Sequence, residues 1–231
     1  MKRIFILSMP RSGSHFLHNI LWKGCGLNMK NYDTAIEIFK VSLDYTFHNN
    51  QEKRRNVNNT ESAIEVVDES ISKIISIHSE HFIQRNIDIF KFANYFKNSI
   101  FIVLNRVDSL SQYISLRLAE DSSNWKLKNY DNKISLGADN YYKYVKEKMD
   151  AYYMYLKNLE RSSAQFSALN YYEDVYFKDA DLEKIFLKIG IEFDVKIKSN
   201  LLLTKQRKNP IASYLNNPEA LDTIKNVKLE I

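Results

Sequence analysis

Pro10, Arg11, Ser12, Gly13, Ser14 and His15 follow a short apolar run, Ile4 to Leu7, and lead into amphipathic sequence. These residue types, in that order, suit an oxyanion. Glycine lets a backbone curl closely around a ligand. Amides at the start of the helix that follows would aim at the ligand with the helix dipole behind them. Arg11 adds a fixed positive fork, and the hydroxyls of Ser12 and Ser14 can donate to the same oxygens. Phosphate and sulfate are the groups such a turn can hold. The nucleoside-triphosphate loop GxxxxGK[ST] is a different construction. Here no lysine follows Gly13, the spacing is shorter, and no clear acidic magnesium ligand ends a later strand. A nucleotide kinase is therefore the weaker enzymatic reading.

A second set of competent side chains closes KIISIHSEHF: His78, Glu80 and His81. An imidazole with its ordinary pKa of ~6.5 is largely neutral near neutral pH and can accept a proton. His78 is the first candidate for a general base, Glu80 the second, and His81 a further alternative. The pairs His15/His18 and His78/His81 have the spacing of neighbouring metal ligands, but neither stands beside cysteine or an acidic cluster, and no metal is expected. Cys25, near a glycine turn, reads as a small buried residue. The basic runs EKRRN and KQRK are short and carry no interleaved aromatic motif, so nucleic acid is not expected as a partner.

These residues need a scaffold that brings them to one edge. Ile4 to Leu7, Ile74 to Ile77 and residues 100 to 104 are short continuous apolar runs, the pattern of strands buried on both faces of a parallel sheet. Residues 166 to 171 read as a fourth strand. Helices are expected after the first turn (Phe16, Leu17, Ile20, Leu21, with Gly24 and Gly26 as a stop), around Ile87 to Phe96, from Asp108 or Ser109 onward, from Tyr141 to about Leu159, and up to Gly190. Strands alternating with helices predict an α/β fold with a mainly parallel central sheet flanked by helices. Residues 28 to 70 are polar and poorly periodic, and are read as a substrate-specific insertion within a single domain spanning residues 1 to 231.

Composition agrees with a globular chain. Its 231 residues, 45% hydrophobic and 13% aromatic, are enough to bury a substantial core. The 33 Lys and Arg against 28 Asp and Glu leave +5, a modest excess suited to an anionic ligand. One cysteine precludes an internal disulfide framework and fits a reducing, cytoplasmic setting. The apolar start is too short for a signal sequence, and no segment approaches a membrane span.

PRSGSHFL after a short first strand resembles the 5′-phosphosulfate loop of sulfotransferases that use 3′-phosphoadenosine 5′-phosphosulfate. In that family a later strand is followed by an arginine and, eight or nine residues on, a serine. FIVLNRVDSLSQYIS supplies Arg106 and Ser115, nine apart, in wording similar to bacterial sulfotransferases of the trehalose-sulfating type. ALNYYEDVYFKDADLEKIFLKIGIEF resembles the family's strand ending in Tyr-Glu-Asp, and LLLTKQRKNP its basic C-terminal loop, with Lys205, Arg207 and Lys208 as nucleotide contacts.

The resemblance implies a three-layer, P-loop-like fold and transfer of a sulfuryl group to an acceptor hydroxyl without a metal. By analogy the acceptor is a carbohydrate or small polyol. Arg11, Ser12, Gly13, Ser14 and His15 would hold the phosphosulfate, and Arg106 with Ser115 the 3′-phosphate. Arg11 stands where many relatives have lysine; it keeps the charge but is a poorer proton donor, so its help to the leaving phosphate would be electrostatic. A non-catalytic module that binds a nucleotide or anion is the other alternative.

Overall fold

The computed structural model describes residues 2–27, 34–36, 39, 45–48, 51–54, 57–123, 132–171, 182–191 and 210–226. The chain divides into two compact units, Met1–Val107 with Ala151–Leu202, and Asp108–Asp150 with Leu203–Ile231.

The first unit is built on a five-stranded sheet. Its strands are β1 (Ile4–Ser8), β2 (Thr34–Ile36), β5 (Ile74–His78), β6 (Ile100–Arg106) and β7 (Gln165–Tyr171), in the order β2-β5-β1-β6-β7. Every pairing within it is parallel. The expected strands are all present, and three of them run further toward their carboxyl ends than the apolar runs alone indicated: to Ser8, His78 and Arg106. Those extra residues are polar because they form the edge where ligands bind in open α/β sheets. β1 and β5 are buried along their whole length, which explains why they read as unbroken apolar runs.

Side chains on one face of the sheet, including Phe5, Leu7, Ile75, Ile77, Phe101 and Val103, pack against three helices: α2 (Thr60–Glu69), α4 (Ile89–Tyr95) and the second half of α6 (Ala138–Ser162). Phe5 sits at the centre, 4.9 Å from the ring of Phe101 and 5.4 Å, edge-on, from that of Phe92. The opposite face carries α1 (Ser14–Gly24), whose Leu17, Ile20 and Leu21 are buried. Helices on both faces of a parallel sheet make the three-layer α/β architecture.

The sequence reading missed five elements in the described part of this unit. Residues 28 to 70, read as poorly periodic, contain β2, an antiparallel hairpin of β3 (Tyr45–His48) and β4 (Gln51–Arg54), and α2. Far from lacking a buried face, α2 contributes Ala63, Val66 and Val67 to the core. Its start is fixed by a reciprocal cap: Asn59 Oδ1 accepts from the Ser62 amide at 2.8 Å, and Ser62 Oγ accepts from the Asn59 amide at 3.3 Å. Serine in the third position hid this box from a search for Glu or Gln. The fifth element, α3 (Ser79–Gln84), begins immediately after β5 and is too short to show periodicity. Buried Arg85 then clamps two loops, donating to the carbonyls of Phe39 at 3.1 Å and Val57 at 3.0 Å.

The second unit contains α5 (Ser109–Asp121), the first half of α6, a 3-10 turn (Ile211–Tyr214) and α8 (Ala220–Asn226). Asp108 caps α5, its carboxylate accepting from the Ser111 amide at 2.9 Å. Tyr113 on α5 meets Tyr144 and Tyr141 on α6 at 5.1 and 5.7 Å, so these aromatics of the tyrosine-rich stretch are packing residues. Lys148, buried, donates to Ser109 Oγ at 2.7 Å. Asn217 brackets Leu136, accepting from its amide and donating to its carbonyl. The remaining helix, α7 (Leu182–Ile189), belongs to the first unit and ends at Gly190, whose φ of 70° is the left-handed value that closes a helix.

Candidate functional site

Because β1, β5 and β6 run parallel, their carboxyl ends lie at one edge. Ser8 pairs with His78 on one side and Leu104 on the other, and Arg106 ends β6 two residues further on. The chain passes from β5 over β1 to β6, so β1 lies between strands whose connections run in opposite directions. That is the topological switch point where open α/β sheets take ligands.

The turn from β1 to α1 is tightly curled. Arg11 has φ 61° and Gly13 φ 88°, both left-handed, on either side of Ser12. For arginine this conformation costs on the order of 1 kcal/mol, a strain found preferentially at functional sites. Gly13 is the N-cap of α1 and offers no side chain to the first amides of the helix, which have no intrahelical acceptors. The two serines have different tasks. Buried Ser12 donates both its amide and its hydroxyl to the Met9 carbonyl, at 3.3 and 2.6 Å, which ties the turn to itself. Ser14 Oγ instead faces His78 Nε2 at 3.5 Å, long for a hydrogen bond. His15 is exposed on the first turn of α1.

Arg106 reaches the same turn from β6. Its Nη1 donates to the carbonyl of Arg11 at 3.0 Å, joining two segments 95 residues apart. Arg106 as a residue is buried. Ser115 lies partly buried on α5 in the second unit. Lys205, Arg207 and Lys208, and the Tyr-Glu-Asp residues after β7, fall outside the described residues.

The three residues read as base candidates are adjacent but not equivalent. His78 is the last residue of β5 and is buried. His81 is buried in α3; its Nδ1 accepts from the His78 amide at 3.4 Å, and its Nε2 lies 3.7 Å from Glu80 Oε1. At 3.4 Å the bond to Nδ1 is long, and at 3.7 Å Nε2 and Glu80 are beyond hydrogen-bond range. The Glu80 side chain is 48% exposed. One ligand atom from each of the three lies within 4.8 Å of the others.

Two contacts beneath the turn had no counterpart in the sequence reading. His18 Nδ1 lies 2.9 Å from buried Ser76 Oγ. Burial, with a smaller contribution from the nearby His15, lowers the pKa of His18 to about 3, so the ring is neutral. The Tyr155 hydroxyl, fully buried, lies 3.5 Å from the Ser8 carbonyl at the end of β1. Burial raises its pKa well above the usual value, with Ser79 opposing the shift as a hydrogen-bond partner. The signal for His18 was its place four residues after Ser14, on the same helix face.

No family model and no curated protein matches the chain. Among solved structures it is similar to a sulfotransferase from Alicyclobacillus acidocaldarius, at 9% identity and a TM-score of 0.42, with 99% of this chain and 97% of that one covered.

Proposed function

We propose that the protein is a sulfotransferase that moves the sulfuryl group of 3′-phosphoadenosine 5′-phosphosulfate to a hydroxyl of a carbohydrate or small polyol. The observation that carries this reading is the bond from Arg106 to the Arg11 carbonyl, because it joins the two segments that the sequence pairs as phosphate contacts. In the proposed site the turn from Arg11 to His15 holds the 5′-phosphosulfate, chiefly through Arg11 and the amides of Gly13 and Ser14. Arg106 takes the 3′-phosphate, together with Ser115 on the strength of their spacing alone.

His78, at the mouth of the turn, is the preferred base, with Glu80 second. The acceptor oxygen attacks sulfur, its proton passes to the base, and the bond from sulfur to the bridging phosphate oxygen breaks, leaving 3′-phosphoadenosine 5′-phosphate. Positive charge from Arg11 and the helix end offsets the charge that develops on that oxygen. Every bond change is accounted for by donor, acceptor and base, without a metal.

Calorimetric titration with 3′-phosphoadenosine 5′-phosphate, beside adenosine 5′-monophosphate and ATP, tests the reading. The wild type is expected to prefer the ligand with the 3′-phosphate, and Arg106→Ala to lose about tenfold or more of that preference, the size of a charge-assisted contact. A wild type indifferent to the 3′-phosphate would remove the sulfotransferase reading. Magnesium-dependent ATP turnover would establish a kinase instead, and binding without transfer to any hydroxyl would establish a nucleotide-binding module.

A further inference from the structure

Alternation along β1 puts Ile4, Ile6 and Ser8 on the sheet face covered by α1, and the parallel register sets Ser76 beside Ile6 and His78 beside Ser8. Ser14 and His18, one helical turn apart on α1, descend onto the same strand. Two rungs result: an outer one from Ser14 Oγ to His78 Nε2 at 3.5 Å, and an inner one from His18 Nδ1 to Ser76 Oγ at 2.9 Å. All four side chains are buried.

The rungs differ in what they can hold. At 3.5 Å the outer contact is too weak to define its own geometry. The inner one is short and lies in the interior, where a hydrogen bond is strong and directional. A helix seated on an apolar face can roll about its axis, and a roll carries Ser14 and His18 together because they share a face.

A second observation singles out His18. Its Nε2 is buried without a hydrogen-bond partner, so the ring carries the cost of an orphaned polar atom that an apolar residue would avoid. An orphaned lone pair is more easily tolerated than an orphaned N–H, which assigns the ring proton to Nδ1, donating to Ser76 Oγ.

We propose that His18 and Ser76 are a positioning pair: their bond locks the rotation of α1 over β5 and so holds the Ser14 hydroxyl opposite His78 Nε2 at the mouth of the anion-binding turn. The consequence for binding rests on the function proposed above. The lock itself belongs to the unliganded chain.

Long-range 15N spectra of the imidazoles, recorded on the full chain at one neutral pH, test the lock without any ligand. Ser14→Ala removes the outer rung and is expected to displace the His78 Nε2 resonance. Ser76→Ala and His18→Leu should displace it in the same direction, while His18→Asn, which keeps a hydrogen-bonding atom near the Nδ1 position, returns it to the wild-type value. In calorimetry with 3′-phosphoadenosine 5′-phosphate, Ser76→Ala should weaken binding to about the same degree as Ser14→Ala. The double variant should be weaker than either by no more than about twofold, as expected of groups acting as a unit. A His78 resonance that stays put in folded Ser76→Ala and His18→Leu, or losses that simply add, overturns the proposal. If the wild type fails to bind the nucleotide, the proposed function falls while the spectra still decide the positioning pair.

Discussion

His18 shows how one buried side chain ties the site to the stability of the chain. In the folded state its pKa is lowered to about 3 by burial and, secondarily, by His15, whereas an unfolded chain has the ordinary value of 6.5. The unfolded state therefore binds the extra proton first. This contribution to stability is fully present above the unfolded pKa and is lost progressively as pH falls from there toward the folded pKa. Urea unfolding should show about 2 kcal/mol lost to this group between about pH 7.5 and about pH 5. Removing the imidazole with His18→Asn should flatten that part of the profile. An unchanged pH slope in the variant would show that His18 takes up its proton equally in the folded and unfolded chain, against a lowered pKa. Arg11 and Gly13 belong to the same scale, since their left-handed backbones set the curl of the turn that the ligand would meet.

At the scale of elements, strand and helix ends decide the chemistry. Parallel pairing brings Ser8, His78 and Arg106 to a shared edge, and each strand hands its chain to a helix there: α1, α3 and α5 respectively. The regular strands were legible because burial on both faces leaves a continuous apolar run. Element α2 was not, because its polar face is broad and its apolar face rests on Ala63, Val66 and Val67, only two of them large. Its Asn59–Ser62 cap carries the helix start. Asn59→Ala should lower stability by about 1 kcal/mol in urea denaturation, as for other lost N-caps. A loss indistinguishable from zero would mean that core contacts alone fix that start.

For the molecule as a whole, the +5 charge complements the polyanionic ligand of the proposed function. Affinity for 3′-phosphoadenosine 5′-phosphate should therefore fall with salt, by about tenfold between low and high ionic strength, because partly exposed charges such as Arg11 are screened over a Debye length of about 8 Å at physiological salt. Titrations in a salt series check this, and a flat series would place the binding energy in uncharged contacts. Among the described residues, no helix is long and apolar enough to cross a membrane.

The amino-acid sequence by itself determined the alternation of the longer strands and helices, the turn at residues 10 to 15 and the candidate residues at the ends of β5 and β6, because these are local: runs, spacings and caps within a few residues. The tertiary structure alone decided which of them meet. Arg106 reaches the Arg11 carbonyl across 95 positions, Ser14 faces His78 across 64, and His18 finds Ser76 across 58. Such contacts depend on strand order and register, which follow from how the apolar faces of the whole sheet are buried together and are written in no single segment.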